Sequence, residues 1–209
     1  MNVTIATRLQ TRPGEADAVT AVFRAAFATR AIWTRPRRHA RLIQALDDPA
    51  ALLYLAEWES RAAFLARMTM RGVEQRLQQL TTRYERHFVR PIRAESAGQL
   101  PDRARIVTCG LVRVPPAQSA GVLTYLVEEL GPAVREIPGL IRRTIYEDLD
   151  QVDWFLLVYE WDTRAAWEAA RRELVPTTEE SLRLRGGQLQ RFVGQTRLAV
   201  GPRPTKHRG

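Results

Sequence analysis

Two indoles stand at matching places in the chain, Trp58 and Trp161, each behind a glutamate and at the end of an apolar run. Strand alternation puts Tyr54 on the face of Trp58 and Tyr159 on the face of Trp161. In the strand before Trp58, His39 and Arg41 share a face, and His87 falls in the last strand of that half. In the strand before Trp161, Arg142, Thr144 and Tyr146 share one. A large amphipathic ring at such a position either plugs the seam between sheet and helix or lines a pocket within it, and both readings stay open. A neutral histidine can take a phenolic proton near pH 7, and a tyrosine hydroxyl can donate to a bound oxygen. The candidate catalytic residues are therefore His39, His87 and Tyr146, and the candidate substrate-binding residues are Trp58, Tyr54, Arg41, Trp161, Tyr159 and Arg142. Each has a plainer alternative, the histidines as surface or rim residues and Tyr146 as a core ring with an exposed hydroxyl.

Other chemistries lack their residues. His39, His87 and His207 are isolated and show no metal-ligand spacing. No nucleophile elbow, phosphate-binding loop or dinucleotide fingerprint is present. The lone Cys109 excludes an intramolecular disulfide framework, agrees with a reducing cytoplasm and reads as an inert core thiol.

The elements that must position these residues come in two copies. Leu53 to Arg67 returns at Leu156 to Ala170, and a shift of 103 residues makes nine of the 21 positions from 46 to 66 identical. Chance would give roughly one or two, and a period this long is domain-sized rather than a solenoid unit. In each copy a strand of aromatic and branched residues runs into a helix that Ser60 or Thr163 can cap.

Read in order, strands are expected at 3–11, 38–46, 52–58 and 84–92, with helices at 15–29, 61–68 and 71–80. The second half repeats this with strands at 106–114, 140–149, 154–161 and 189–200. Its first helix runs from about Gln118 to Arg135, disturbed at Gly131-Pro132. Its second runs from Arg164 to Leu174, and Pro176 opens a separate short helix. Arg30 to Pro36, with Trp33, is a connector. The domains are 1–93 and 105–200, joined by a polar linker at 94–104 and followed by a disordered basic tail at 201–209.

The order strand–helix–strand–strand–helix–strand in each half is the split βαβ, or ferredoxin-like, arrangement. A single four-stranded sheet would leave an apolar face bare, so the expected fold is α+β: two tandem ferredoxin-like domains closing into an intramolecular pseudo-dimeric barrel. Such a chain is a monomer mimicking a dimer, or a homodimer of it.

Charge and hydropathy bound the partners. The net charge is +9, and Lys206 is the only lysine against 31 arginines. The arginines are scattered through both halves rather than gathered on one arm, so nucleic-acid binding is not expected. No apolar run approaches the roughly 18 residues of a membrane span, and the N-terminus does not read as a signal peptide, so a cytoplasmic location is expected.

The strand ending in Glu-Trp-x-Ser/Thr-x-x-Ala, carried by Glu57-Trp58 to Ala63 and by Glu160-Trp161 to Ala166, resembles the antibiotic biosynthesis monooxygenase family of the dimeric α+β barrel superfamily. Pro138-Gly139 and the approach from Tyr146 to Asp150 fit that resemblance as well. It implies oxidation of an aromatic polyketide-type phenol or quinol by dioxygen without metal or haem, with Trp58 and Trp161 lining substrate pockets. An electron-rich phenolate can itself reduce dioxygen if a protein binds it, helps deprotonate it and stabilises the charge. Reduced flavin as a co-substrate stays open within this class. The haem-degrading members need a histidine on the helix after the Trp strand, and 61–80 and 164–185 contain none. A polyketide cyclase on the same barrel and a non-catalytic small-molecule-binding module are the alternatives.

Overall fold

The computed structural model describes residues 2–28, 39–69, 72–96 and 106–200. The expected connector with Trp33, most of the linker, the tail and His207 lie outside the described residues.

Two compact units emerge, residues 1–88 with 196–209 and residues 89–195. The first holds β1 (Val3–Thr11), α1 (Ala16–Ala28), β2 (Ala40–Ala45), β3 (Ala51–Trp58), α2 (Arg61–Thr69), α3 (Val73–Leu80) and the start of β4 (Thr81–Ser96). β3 is its central strand, antiparallel to β1 on one side and to β2 on the other. Ile5, Leu42, Tyr54, Trp58 and Phe64 from these elements meet in one buried core with Phe23 and Phe88.

The second unit holds the end of β4, β5 (Ile106–Arg113), α4 (Ser119–Thr124), α5 (Leu130–Arg135), β6 (Leu140–Asp148), β7 (Trp154–Trp161), α6 (Arg164–Leu184) and most of β8 (Gln188–Val200). β5 pairs with β7 and β8, β7 with β6, and β6 with the Val89–Ser96 half of β4, all antiparallel. Its core joins Ile106, Val112, Leu126, Ile145, Leu157 and Trp161 across sheet and helices. The fold is α+β with eight strands, and both halves show the order strand–helix–strand–strand–helix–strand.

The caps arise where the hydroxyls stand. Ser60 Oγ accepts from Ala63 N at 3.1 Å and Thr163 Oγ1 from Ala166 N at 3.1 Å, each meeting an amide of the first helical turn that has no helical acceptor.

Three expectations are corrected. Ala94 to Ser96 continue β4 rather than opening a linker, because Ala94, Glu95 and Ser96 pair with Thr144, Arg143 and Arg142 of β6. The helix from Gln118 to Arg135 is interrupted before Gly131-Pro132, by a π turn at Tyr125–Glu129. A proline ring crowds the carbonyl four residues earlier, here Glu128, and widening that turn gives the carbonyl room. Pro176 does not start a new helix, since α6 runs unbroken through it. Trp167 and Ala170 before it, and Thr178 and Leu182 after it, are buried along that helix, so packing outweighs a local penalty of about 3 kcal/mol.

Candidate functional site

A half-open cavity of about 60 Å³ lies inside the second unit, between the sheet and α5 and α6. A water needs roughly 10–15 Å³ of such space, so this is room for several waters, and a ring would also occupy the open side. The lining is almost wholly apolar, and Trp161, Trp167, Leu157, Leu130 and Val193 form most of it.

β7 supplies the aromatic wall. Leu157, Tyr159 and Trp161 alternate onto one face, and all three border the cavity. Trp161 is fully buried, and its Nε1 donates to Thr108 Oγ1 at 3.1 Å, which fixes the plane of the indole. Tyr159 stacks on it at 6.4 Å between centroids, and Trp167 of α6 tilts against it at 5.6 Å. β5 makes the space. A Cβ on Gly110, whose partner across the ladder is Leu157, would lie 3.0 Å from Leu189 Cδ1 and 3.5 Å from Leu157 Cδ1. Any side chain there would grow into the hollow.

Two cations serve this cavity, and neither is Arg142. β6 carries an irregularity between Leu140 and Arg142, so that Leu140 faces Trp161 while Arg142 pairs with Glu160 and Arg143 with Tyr159. One extra residue flips the parity of everything after it. Arg143 therefore takes the tyrosine's face, and Arg142, Thr144 and Tyr146 turn to the other side of the sheet. Arg143 is 2% exposed. Its Nη1 donates to Glu95 Oε2 at 3.3 Å and its Nη2 to the carbonyl of Leu126 in the π turn, and it stands directly across the ladder from Tyr159 on the same sheet face. Glu95 also receives Arg93 at 2.9 Å and Arg135 at 2.7 Å. Burial pushes the Tyr159 phenol above its ordinary range, and Arg143 offsets that only in part.

Arg191 is the second cation. It lines the exposed side of the cavity and is ion-paired with Glu179 of α6. Partial desolvation pulls its pKa down, Glu179 acts against this, and nearby Arg171 adds to it. The alternation Leu189, Arg191, Val193 carries the signal for this residue: an arginine on the apolar face of a strand.

The remaining sequence candidates lie in the first unit, and none of them is among the residues that line this cavity. His39 is exposed and lies just before β2, where its carbonyl accepts from Glu57 N at 3.0 Å; Arg41 is half-buried and pairs with Leu55. His87 is buried in β4. Tyr54 and Trp58 are buried in the first core. Phe23 stacks on Tyr54 at 4.6 Å, and Phe64 meets Trp58 edge-on at 5.3 Å and Phe88 at 5.9 Å. Tyr54, buried among these rings, has its pKa pushed far up. The structure thus brings Trp161 and Tyr159 together at a cavity and leaves Trp58 and Tyr54 in packed rings. Arg142 and Tyr146 lie on the opposite sheet face from Tyr159. Among the described residues, no group of three His, Cys, Asp or Glu side chains could hold a metal ion.

An apolar cavity between sheet and helices, bordered by a tryptophan at a strand end on a ferredoxin-like scaffold, has the make-up common to small-molecule pockets. Residues 106–173 match the antibiotic biosynthesis monooxygenase family model. No curated protein matches the chain. Among solved structures, the chain is similar to an anthrone oxidase-like protein, with 15% identity, 96% of this chain and 93% of that one covered, and a TM-score of 0.72. It is similar in the same way to a proposed monooxygenase of Fusobacterium nucleatum, at 7% identity, 96% and 94% coverage and a TM-score of 0.74. A haem-degrading enzyme of Listeria monocytogenes aligns at 12% identity over 93% of this chain and 99% of that one, with a TM-score of 0.53. At these identities the shared property is the fold. No helix among the described residues is long and apolar enough to cross a membrane.

Proposed function

We propose that the cavity beside Trp161 binds an aromatic polyketide-type phenol or quinol and that the protein promotes its oxidation by dioxygen without metal or haem. The observation that carries this reading is the cavity's make-up: an apolar slot walled by two indoles, with one phenol and one guanidinium as its strongest polar groups. Flat apolar walls suit a planar ring, and the polar groups suit its oxygen substituents. Oxidising a phenol to a quinone places one oxygen atom of dioxygen in the new carbonyl and releases the other as water. The difficult requirement is a phenolate rich enough in electrons to begin that transfer.

Arg191 meets that requirement by charge. A cation at the mouth of a low-dielectric slot favours the ionised phenol, whose proton leaves to solvent on the open side. A histidine base is not needed at this site, and none lines it. His39 and His87 therefore have no part in the proposal. Tyr159 supplies a hydrogen bond to an oxygen of the ring system, and Trp161 and Trp167 hold the ring plane. Haem does not fit, because α6 carries no histidine to ligate iron. The anthrone oxidase-like neighbour is consistent with an aromatic substrate, and its contribution here is only the shared fold.

The nine matching positions in 21 and the common element order further support descent of the two halves from one duplicated half-length sequence. The site test is oxygen-dependent turnover of a polycyclic phenol such as anthrol, the enol form of anthrone. Product formation in air with matched oxygen uptake is the expected result, and equal turnover without oxygen ends the reading. Loss of water alone from a polyketide substrate would instead identify a cyclase.

A further inference from the structure

Arg143 is an unusual residue to bury. A charged guanidinium at 2% exposure costs several kcal/mol unless it is paired and its donors are used. Glu95 pairs with it and the Leu126 carbonyl takes a second donor, yet its Nε has no partner among the described residues. The chain makes further room for it. A Cβ on Gly131 would stand 2.7 Å from Arg143 Nη1, so the helix carries glycine where the guanidinium passes. The π turn brings the Leu126 carbonyl to it. Glu95, Leu126, Gly131 and Tyr159 thus all converge on one side chain, and Tyr159 is the one that also borders the cavity.

An arginine donates hydrogen bonds and accepts none. Arg143 stands directly across the ladder from Tyr159 on the same sheet face, so a hydrogen bond between the two side chains makes the phenol oxygen the acceptor and leaves the phenol proton for another partner. We propose that Arg143 is a positioning residue that sets the polarity of Tyr159, so that Tyr159 donates into the cavity and the site selects ligands presenting an acceptor oxygen, a ketone, quinone or phenolate, over those presenting an N–H or O–H. This rests on the cavity being the ligand site, and it names the substituent that the ligand turns towards Tyr159. The product quinone and the ionised substrate both carry such an oxygen.

The test uses two bicyclic probes of nearly equal size, 1-indanone with one ketone acceptor and indole with one N–H donor, titrated against the full chain by calorimetry. A site that hydrogen-bonds its ligand discriminates strongly against an analogue that leaves its polar group unpaired. The wild type should bind 1-indanone at least about tenfold tighter than indole, a difference of about 1.4 kcal/mol. The ketone stretch of the bound probe should also shift to lower frequency. Tyr159→Phe should abolish both the preference and the shift. Arg143→Met frees the tyrosine oxygen to accept, so indole affinity should rise while 1-indanone affinity falls; a merely structural role would weaken both probes together. Gly131→Ala, which pushes the guanidinium aside from the helix, should reproduce that crossover and serves if Arg143→Met does not fold. Equal affinity for the two probes in the wild type overturns the proposal while leaving the cavity as a ligand site. An unchanged preference in the Arg143 and Gly131 variants overturns the role of Arg143. Failure of both probes to bind overturns the cavity reading itself, and with it the proposed function.

Discussion

The two tryptophans at 58 and 161 sit at the same point of the same motif and have different surroundings. Around Trp58, among the described residues, the first core gathers the rings of Phe23, Tyr54, Phe64 and Phe88. Around Trp161 the second core contains a hollow, opened by Gly110 and bordered by Tyr159. At the positions 103 apart, Tyr54 corresponds to Leu157 and Ala56 to Tyr159. Moving the phenol two residues along the strand leaves it on the same face but shifts it beside the cavity. The difference teaches that, among the described residues, one sequence motif is followed by two arrangements: rings meeting rings around Trp58, and rings bordering a hollow at Trp161.

Substituting the indoles sharpens this contrast most. Trp58→Ala and Trp161→Ala should each cost about 3–5 kcal/mol of unfolding free energy in denaturant titrations, since each removes a large buried ring. Only Trp161→Ala should also change the affinity for an aromatic ligand. An equal loss of binding in Trp58→Ala would erase the distinction.

The carboxylates offer a second comparison. Glu95 is held by Arg93, Arg135 and buried Arg143, whereas Glu85 is held by Arg83 and Arg8 at the surface. Burial alone would raise both pKa values, yet the arginine hydrogen bonds and charges outweigh it and hold both carboxyls below their usual range. Glu95→Gln should cost about 1–3 kcal/mol, as it leaves a buried guanidinium poorly matched, and Glu85→Gln about 0–1 kcal/mol. Because a depressed carboxylate stabilises the fold above its unfolded pKa of about 4.3, that contribution is lost as pH falls through the lower folded value. The gap between wild type and Glu95→Gln should accordingly be full at neutral pH and narrow in acid. A gap that widens in acid would contradict the assignment.

The helix caps should show where the halves agree. Ser60→Ala and Thr163→Ala should each cost about 1 kcal/mol, measured by thermal unfolding. A near-zero effect at one of them would mean that its hydroxyl contact with the first turn contributes nothing in solution.

Much of this was legible in the residues. The pattern in β1 and β7 gives both strands with their ends, and Ser60 and Thr163 mark the following helices, because alternation and capping are local. Trp161 and Tyr159 are adjacent at the cavity for the same reason. What stayed hidden depends on register and on tertiary packing. Counting from Leu140 gives Arg142 its face, and one irregularity in β6 hands that face to Arg143. Pro176 looks like a helix start until Thr178 and Leu182 are seen buried beyond it. His39 continues the pairing of β2 with β3 through its carbonyl, yet its side chain is exposed, which alternation alone does not show. Nothing in a single strand's composition tells a hollow from a filled core. That choice lies in Gly110 meeting Leu157 and Leu189, which are distant in the chain.

The central claim is that the hollow beside Trp161, and not the core around Trp58, receives the ligand. A crystal structure of the protein soaked with 1-naphthol tests it most directly. The account predicts one naphthol ring against Trp161 and Trp167, with its oxygen near Tyr159 or Arg191, and no ligand at Trp58. Naphthol bound against Trp58 with the Trp161 cavity empty would contradict it.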